Sequence, residues 1–441
     1  MPTIETNFDA ICGPSHNYGG LSPGNLASLA HTNQPSNPRQ AALQGLAKMK
    51  YLADLGISQA VLPPHDRPDL FTLRKLGFTG SDGQVLKSAS AHPWLLASCG
   101  SASAMWAANA ATVSPSFDAL DGRLHFTPAN LSSQFHRSLE SVTTATILKK
   151  IFADESAFAH HDPLPATPRF FDEGAANHMR VCPSHGQKAL EIFVYGRRAS
   201  DGISPARFPA RQSLEASQSI ARLHNLDPAA ALFIQQNPVA IDVGAFHNDV
   251  VAVANENVLL YHAAAFTQPI QSAINDFFKD RPHHLIEVSD SQVPLPDAIL
   301  SYLFNSQIVT LPDQTMALIA PTEARDNPRA KQFLDELLNF DTPIRHVHFV
   351  DVRQSMNNGG GPACLRLRIV LSDQERSRVN PAIFLTDKLY ESLKAWIIRH
   401  YRDRLTPADL ADWKLLDESR RALDELTAML NLGSVYRFQM P

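Results

Sequence analysis

Residues 345–371, "RHVHFVDVRQSMNNGGGPACLRLRIVL", alternate in polarity, break at three glycines and a proline, and then alternate again. A period of two on either side of a glycine-rich break predicts strand, loop, strand. After the loop, Leu365, Leu367 and Ile369 alternate with Arg366 and Arg368, which gives the second strand one apolar face. On that alternation Cys364 falls on the polar side at the strand's mouth, whereas structural cysteines are usually found on apolar faces. The loop itself has few side chains to pack, so either the chain turns sharply or something comes close. Glycine serves both needs.

The same cadence recurs outward from this stretch. "FHNDVVAVANENVLLYH" (246–262) reads strand, Asn-Glu-Asn turn, strand, and "YLFNSQIVTLPDQTMALIAP" (302–321) reads strand, Pro-Asp-Gln turn, strand. Helices follow each. "NPRQAALQGLAKMKYLADLG" has Pro38 in its first turn, Leu43, Leu46, Met49 and Leu52 on one side, and Gly56 as a stop. "TPADLADWKLLDESRRALDELTAMLNLG" predicts one helix with Thr406 as N-cap, Pro407 at N1 and Asp409 completing a capping box, ending at Gly433. Further helices are expected around 210–224, 267–279, 327–339 and 386–401. The reading is an α/β protein with a repeated strand–strand–helix unit. No Gly-, Ser- or charge-rich linker divides the chain. The Pro-rich "HHDPLPATPRFFDEG" (160–174) is the strongest candidate break, and residues 1–441 are read as one domain.

Composition narrows the function classes. Of the 441 residues, 44% are apolar and 19% charged, the balance of an ordinary globular protein. A net charge of −5 without a basic block argues against a nucleic-acid partner. No apolar run reaches the ~18 residues of a membrane span. The opening "MPTIETNFDAICG" lacks the basic and apolar regions of a signal peptide, so a cytoplasmic location is expected. Cys12, Cys99, Cys182 and Cys364 are too few for a disulfide scaffold and lack zinc-site spacing.

Several stretches carry chemistry. If "AFHNDVV" is a strand, His247 and Asp249 share a face with Cα atoms about 6.5 Å apart, placing an imidazole beside a carboxylate. The bland alternative is a polar surface strand. "FFDEGAANH" puts Asp172 and Glu173 in a loop before a glycine, where adjacent acids otherwise mark a solvated turn or a helix start. "HNYGGLSPGNLAS" is a glycine-rich turn without phosphate-loop spacing. His346 and His348 share a strand face, but no third ligand follows at metal spacing. His160 and His161 read as solvated. His136, Arg137 and Arg211 could clamp a carboxylate or lie on the surface. Singly, each reading favours structure over chemistry. Together, a thiol, an imidazole and two acids at loops and strand ends are the inventory of a cysteine hydrolase.

On "GLSPGNLAS", "FHRSLE", "DEGAANH", "FPARQ", "QQNP", "FHNDVVAV", "LFNSQ", "NGGGPACLRLR" and "LNLGSVY", met in that order between Asn7 and Phe438, the chain resembles the N-succinylarginine dihydrolase family. The resemblance implies the α/β-propeller (pentein) fold, with five strand-and-helix units about a pseudo-fivefold axis. It implies Cys364 as nucleophile, with His247 and Glu173 as the acid–base pair. It further implies substrate contacts at Gly19, Gly20, Leu21, Ser22, Pro23, Gly24, Asn25, Leu26, Ala27 and Ser28, and at Asn109, His136, Arg137, Arg211, Asp249 and Asn358. Pro23 and Leu26 stand at places where the family pattern is expected to vary. Asp249 would hold a guanidinium, and Arg137 and Arg211 a succinyl carboxylate. Arg366 and Arg368, which would repel a cationic substrate, are expected to be paired with acids.

The chemistry implied is thiolate attack on the guanidinium carbon, departure of ammonia with a proton from His247, and hydrolysis of the amidino-thioester, repeated on the ureido product. N-succinylarginine would yield N-succinylornithine, two ammonia and carbon dioxide, with no metal or organic cofactor. The implied partner is the small-molecule substrate, with no nucleic acid or membrane, and the family suggests a homodimer. Rival readings are a deiminase stopping after one ammonia, an amidinotransferase, and a non-catalytic binder of arginine derivatives. A papain-like protease does not fit the order of residues.

Overall fold

A computed structural model describes residues 3–199 and 204–440. Strand β1 (Thr3–Ala10) is followed by the helix Pro38–Asp54 and then by β2 (Ser58–Leu62), which lies parallel to β1. Asn37 caps the helix by accepting from the Gln40 amide, Pro38 stands at its start, and Gly56 turns the chain at φ +88° just beyond its end. The pattern then repeats: an antiparallel pair, a crossover containing a helix, and a third strand parallel to the middle one. The first repeat is β3 (Ala111–Ser114), β4 (Leu124–Pro128), the helix Ser141–Ile151 and β5 (Phe158–His160). The second is β6 (His178–Val181), β7 (Leu190–Tyr195), the helix Leu214–Leu223 and β8 (Ala231–Gln235). The third is β9 (Ala252–Asn255), β10 (Val258–His262), the helix Gln271–Phe278 and β11 (His284–Val288). In the fourth, β12 (Gln307–Thr310) and β13 (Met316–Pro321) precede the helix Pro328–Leu337 and β14 (Ile344–Val350). Finally β15 (Arg366–Ser372) pairs antiparallel with β1, from Asp9↔Arg366 to Thr3↔Ser372. Five three-stranded sheets result, the last assembled from both ends of the chain.

The expected cadence is therefore present, with two corrections. The strands on either side of the glycine loop, β14 and β15, belong to different sheets. Their shared alternation reports a buried face on each, and nothing local in it selects the partner strand. The stretch expected as a single helix from Thr406 to Gly433 is two elements. The Thr406–Asp409 capping box starts only a short 3₁₀ turn, Pro407–Ala411, and Asp412 then caps a new helix, Trp413–Met429. Leu410 of the turn is buried with Leu70, Leu96 and Leu405, and this packing keeps it from continuing into the helix.

The apolar faces of the sheets fill the interior. Phe8, Leu367 and Ile369 of the terminal sheet join Phe126, Phe152 and Trp396 in one cluster. Lys48, on the first long helix, is buried by pairing with Asp9 of β1 and donating to the Pro362 carbonyl at 3.2 Å. A buried cation tolerates this only because both partners are fixed. The pair thus ties β1 to the glycine loop.

Candidate active site

Cys364 lies in the turn that precedes β15, two residues before Arg366, and is 4% exposed. Asn305, fully buried just before β12, holds it at three points. Its Oδ1 accepts from the Cys364 amide at 3.3 Å, its carbonyl accepts from the Ala363 amide at 3.0 Å, and its Nδ2 lies 3.2 Å from Sγ. The thiol in turn points at Asp249 Oδ2, 3.4 Å away. Cys364, expected on the polar side of a strand, lies instead in a buried turn, within the large apolar cluster, with its thiol on polar partners.

The glycines answer to the protein. Gly359 has φ +98°, and a Cβ there would lie 1.9 Å from Asn25 Nδ2. A Cβ on Gly360 would lie 2.3 Å from Trp106 Nε1, and one on Gly361 would lie 2.7 Å from Asn305 Oδ1. Such contacts cannot be met by side-chain adjustment alone, because these neighbours are themselves buried.

His247 and Asp249 do not lie on a strand. Helix Pro238–Val243 ends at Gly244 (φ +125°), His247 caps a 3₁₀ turn over Asn248–Val250, and β9 begins only at Ala252. The turn is pinned by Asn177 Oδ1, which accepts from the Asn248 amide at 2.7 Å. Gln236 Nε2 donates to the Ala245 and His247 carbonyls at 2.7 and 3.3 Å. This geometry sends the two side chains to different partners: Asp249 to Cys364, His247 Nε2 to Glu173 Oε2 at 2.8 Å. Glu173 is fully buried, takes a second bond from the Ser133 hydroxyl, and has its amide and carbonyl held by Gln212 Oε1 and Asn109 Nδ2, both at 2.7 Å. His247 Nδ1 and Asp249 Oδ1 are buried and have no hydrogen-bond partner among the described residues. Unsatisfied polar atoms in one buried cluster are what a polar ligand would satisfy.

Residues 19–28, the last three in the short helix Leu26–Ala30, bind groups neighbouring this cluster. Ser22 Oγ meets His136 Nε2 at 3.4 Å, Pro23 O accepts from Arg211 Nη2 at 2.7 Å, and Asn25 Nδ2 donates to Gly359 O at 3.2 Å. Ser28 Oγ reaches Asn358 Oδ1 at 3.4 Å, while Asn358 Nδ2 donates to Asn17 O at 3.3 Å. Gly20 and Gly24 adopt φ +59° and +87°, which the sharp turns require. Leu21 sits beside Gly19, Leu26 beside Gly244, and Ala27 packs on the large apolar cluster. Arg137 is committed to Glu140 by Nε and Nη2, at 2.8 and 3.2 Å, and to Asn109 Oδ1 by Nη1 at 3.3 Å. Arg211 stacks over Phe246 at 4.8 Å, and its Nε has no partner among the described residues.

The electrostatics separate the acids. Burial pushes Glu173 up, but the hydrogen bond and charge of His247, with Arg211 and Arg137, hold it down at about 2. Burial raises Asp249, and neither His247 nor its bonds to Cys364 and Asn305 reverse this. Asp172, adjacent in sequence to Glu173, is driven by burial to about 7 while bonding the Gly174 amide and Gln212. Burial, and then the Asp249 charge, push the Cys364 thiol well above its ordinary range. Burial, with Arg137 and Arg211, keeps His136 well below its ordinary range and therefore neutral.

The contacts thus join Cys364 to Asp249 and His247 to Glu173, Asn109 and through it Arg137 to the Glu173 carbonyl, and residues 22–28 to His136, Arg211 and Asn358. Arg366 and Arg368, which line a cavity together with Asp249, are paired with Glu5 as expected. His348 bonds the Tyr51 hydroxyl at 2.7 Å. Among the described residues no group of three His, Cys, Asp or Glu side chains gathers to hold a metal. No helix of the described residues is long and apolar enough to cross a membrane. Sequence reading overlooked Asn305, Ser133 and Gln212, although "LFNSQ" and "FPARQ" contain two of them. Their roles arise from contacts 39–59 positions apart along the chain, which no local pattern announces.

The profile of the succinylarginine dihydrolase family matches residues 2–439. N-succinylarginine dihydrolases of Aeromonas hydrophila and Shewanella amazonensis are 56% and 55% identical to the chain, each over 100% of both sequences. That of Nitrosospira multiformis is 55% identical over the same full extent. The solved N-terminal domain of ArgZ, an arginine dihydrolase of cyanobacteria, is 14% identical with a TM-score of 0.48, covering 83% of this chain and 97% of that one. At that score the likeness carries no weight for the site.

Proposed function

The chain belongs to the succinylarginine dihydrolase family, and from that premise we propose that it hydrolyses N2-succinyl-L-arginine to N2-succinyl-L-ornithine, two ammonia and carbon dioxide through a covalent bond to Cys364. The observation that carries the assignment to Cys364 is its thiol 3.4 Å from a half-buried carboxylate whose other oxygen is itself shielded and has no partner among the described residues. A carboxylate short of a counter-charge is a receptor for a cation, and a guanidinium offers paired N–H donors in the matching plane.

With the guanidinium on Asp249, the charge that opposes ionisation of Cys364 is neutralised, so substrate binding itself favours the thiolate. The Cys364 proton passes to His247, the sulfur lone pair attacks the guanidinium carbon, a C–S bond forms, and the C=N electrons move onto nitrogen. His247, oriented through Nε2 by ionised Glu173, carries a proton from its Nδ1 side to the departing nitrogen. The C–N bond breaks and ammonia leaves. Water, deprotonated by His247, attacks the amidino-thioester carbon and the C–S bond breaks, returning the thiolate and a ureido product. A second round on that product releases the second ammonia and a carbamate, which breaks down to carbon dioxide and the ornithine amine. No step calls for a metal or organic cofactor.

Arg211, with its unpartnered Nε, is the group we assign to a substrate carboxylate. Arg137 spends its donors on Glu140 and Asn109 and serves to fix Asn109 beneath Glu173. We read residues 1–441 as one catalytic domain and the five sheets as blades about a pseudo-fivefold axis; the pairing of β1 with β15 supports both. A cytoplasmic homodimer completes the reading, and sedimentation of the purified enzyme tests the dimer.

The deciding experiment is incubation with N-succinylarginine, counting ammonia and weighing the product. Two ammonia with succinylornithine are expected. One ammonia with succinylcitrulline would make it a deiminase, transfer to an added amine an amidinotransferase, and binding without turnover a receptor.

A further inference from the structure

The Asn305 side chain hydrogen-bonds both to Cys364 and to the backbone of Asp249. Its Nδ2 donates to the Asp249 carbonyl at 3.3 Å and lies 3.2 Å from Cys364 Sγ, while Oδ1 accepts from the Cys364 amide at 3.3 Å. The amide orientation follows from this network. The Cys364 N–H requires an acceptor and the Asp249 C=O requires a donor, so Oδ1 and Nδ2 can stand only this way round. The sulfur therefore faces an N–H.

The groups facing Sγ make that N–H consequential. Asp249 Oδ2, at 3.4 Å, accepts from the thiol and would repel a thiolate. Tyr302 lies close by on the same loop as Asn305, and Lys48 is more distant and neutralised by Asp9. Asn305 itself has little freedom. It is fully buried, its carbonyl takes the Ala363 amide at 3.0 Å, and Gln307 Nε2 donates to Pro362 O at 2.6 Å on the same segment. Gly361 leaves the room it occupies, since a Cβ there would lie 2.7 Å from Oδ1.

We propose that Asn305 is a catalytic residue of this site: its side-chain amide stabilises the sulfur anion of Cys364 and holds it in register with the carbon that Asp249 presents. A hydrogen bond to an anion is stronger than one to a neutral thiol, so this contact gains strength as the thiolate forms and again when it is expelled. The inference rests on the thiolate mechanism above but not on the identity of the substrate.

The test uses the full-length enzyme with Asn305→Asp, which keeps the shape but replaces the donor with an acceptor, and Asn305→Ser, which shortens it. Alkylation of Cys364 by iodoacetamide, located by mass spectrometry and followed against pH without substrate, reads the thiol directly. For variants that melt within a few degrees of the parent, the midpoint of alkylation is expected to move up by about one pH unit or more. Turnover is expected to fall about 100-fold or more with KM little changed. A folded variant whose alkylation profile matches the parent overturns the proposal, even if its activity is low, because a merely structural Asn305 would leave the thiol unmoved. Should the parent fail to turn over succinylarginine, the substrate reading falls while the alkylation arm still decides the role of Asn305.

Discussion

The two carboxylates bonded to His247 and Cys364, Glu173 and Asp249, are prepared in opposite ways. Glu173 is surrounded by cationic groups, His247, Arg211 and Arg137, and is held ionised at about 2. Asp249 is half-buried, its bonded neighbours are a thiol and an amide, and its carboxyl is raised. The first is complete within the protein and has a fixed task, which is to orient an imidazole. The second is incomplete, and a cationic substrate completes it. Burial alone does not set the state of an acid, since Asp172 is as buried as Glu173 yet raised to about 7. The charge count of its neighbours does.

The largest effect expected bears on what both acids serve. Cys364→Ala removes the nucleophile, so turnover should fall to background while the melting temperature changes little; retained activity would sink the covalent mechanism. The two acids should then separate. Glu173→Gln leaves His247 without its ionised partner, and kcat should drop ~10²–10⁴-fold with KM nearly held. Asp249→Asn should instead weaken substrate binding by ~1.5–3 kcal/mol, the worth of a charge-assisted bond. Titration calorimetry on the Cys364→Ala background measures the second without turnover. Equal losses in binding and rate for both variants would erase the division.

Arg211→Ala sharpens the comparison from the carboxylate end of the substrate. Loss of one charge-assisted contact should lower kcat/KM for succinylarginine ~10–150-fold and for free arginine far less. Equal loss on both substrates would make Arg211 structural.

Acidity offers a smaller test with opposite signs. Glu173 is depressed from 4.5 to about 2, so its contribution to stability is present above 4.5 and is lost as pH falls through about 2. Asp249 is raised from 3.8, so its contribution is present below 3.8 and is lost as pH rises through its folded value, where the ionised carboxyl lacks a partner. A bound guanidinium supplies that partner. Substrate protection against melting in Cys364→Ala should therefore increase from acidic to neutral pH, and a flat profile would contradict the role given to Asp249. Smallest of all is Asp172→Asn. Asp172 sits at about 7, half protonated near neutrality, and the amide keeps the acceptor used by Gly174 and Gln212. Its kcat should change less than about threefold, although it is the immediate neighbour of Glu173.

The sequence by itself determined the elements whose signals are local. Asn37, Pro38 and Gly56 bound their helix because capping and turning depend on residues a few positions apart. Alternation marked β15, and a polar turn between two apolar runs marked β12 and β13, because side-chain direction and turn chemistry are set by neighbouring residues. The long motifs identified the family, and with it Cys364, His247, Glu173 and Asp249, though not what each touches. Tertiary structure alone decided that β15 pairs with β1 across the whole chain, and that His247 and Asp249 diverge from a turn. It also decided that the three glycines make way for Asn25, Trp106 and Asn305. The reason is physical: propensity and periodicity report each residue's near neighbours in the chain. Ionisation and hydrogen bonding depend on whichever groups burial brings within a few ångströms, and here those lie tens to hundreds of residues away.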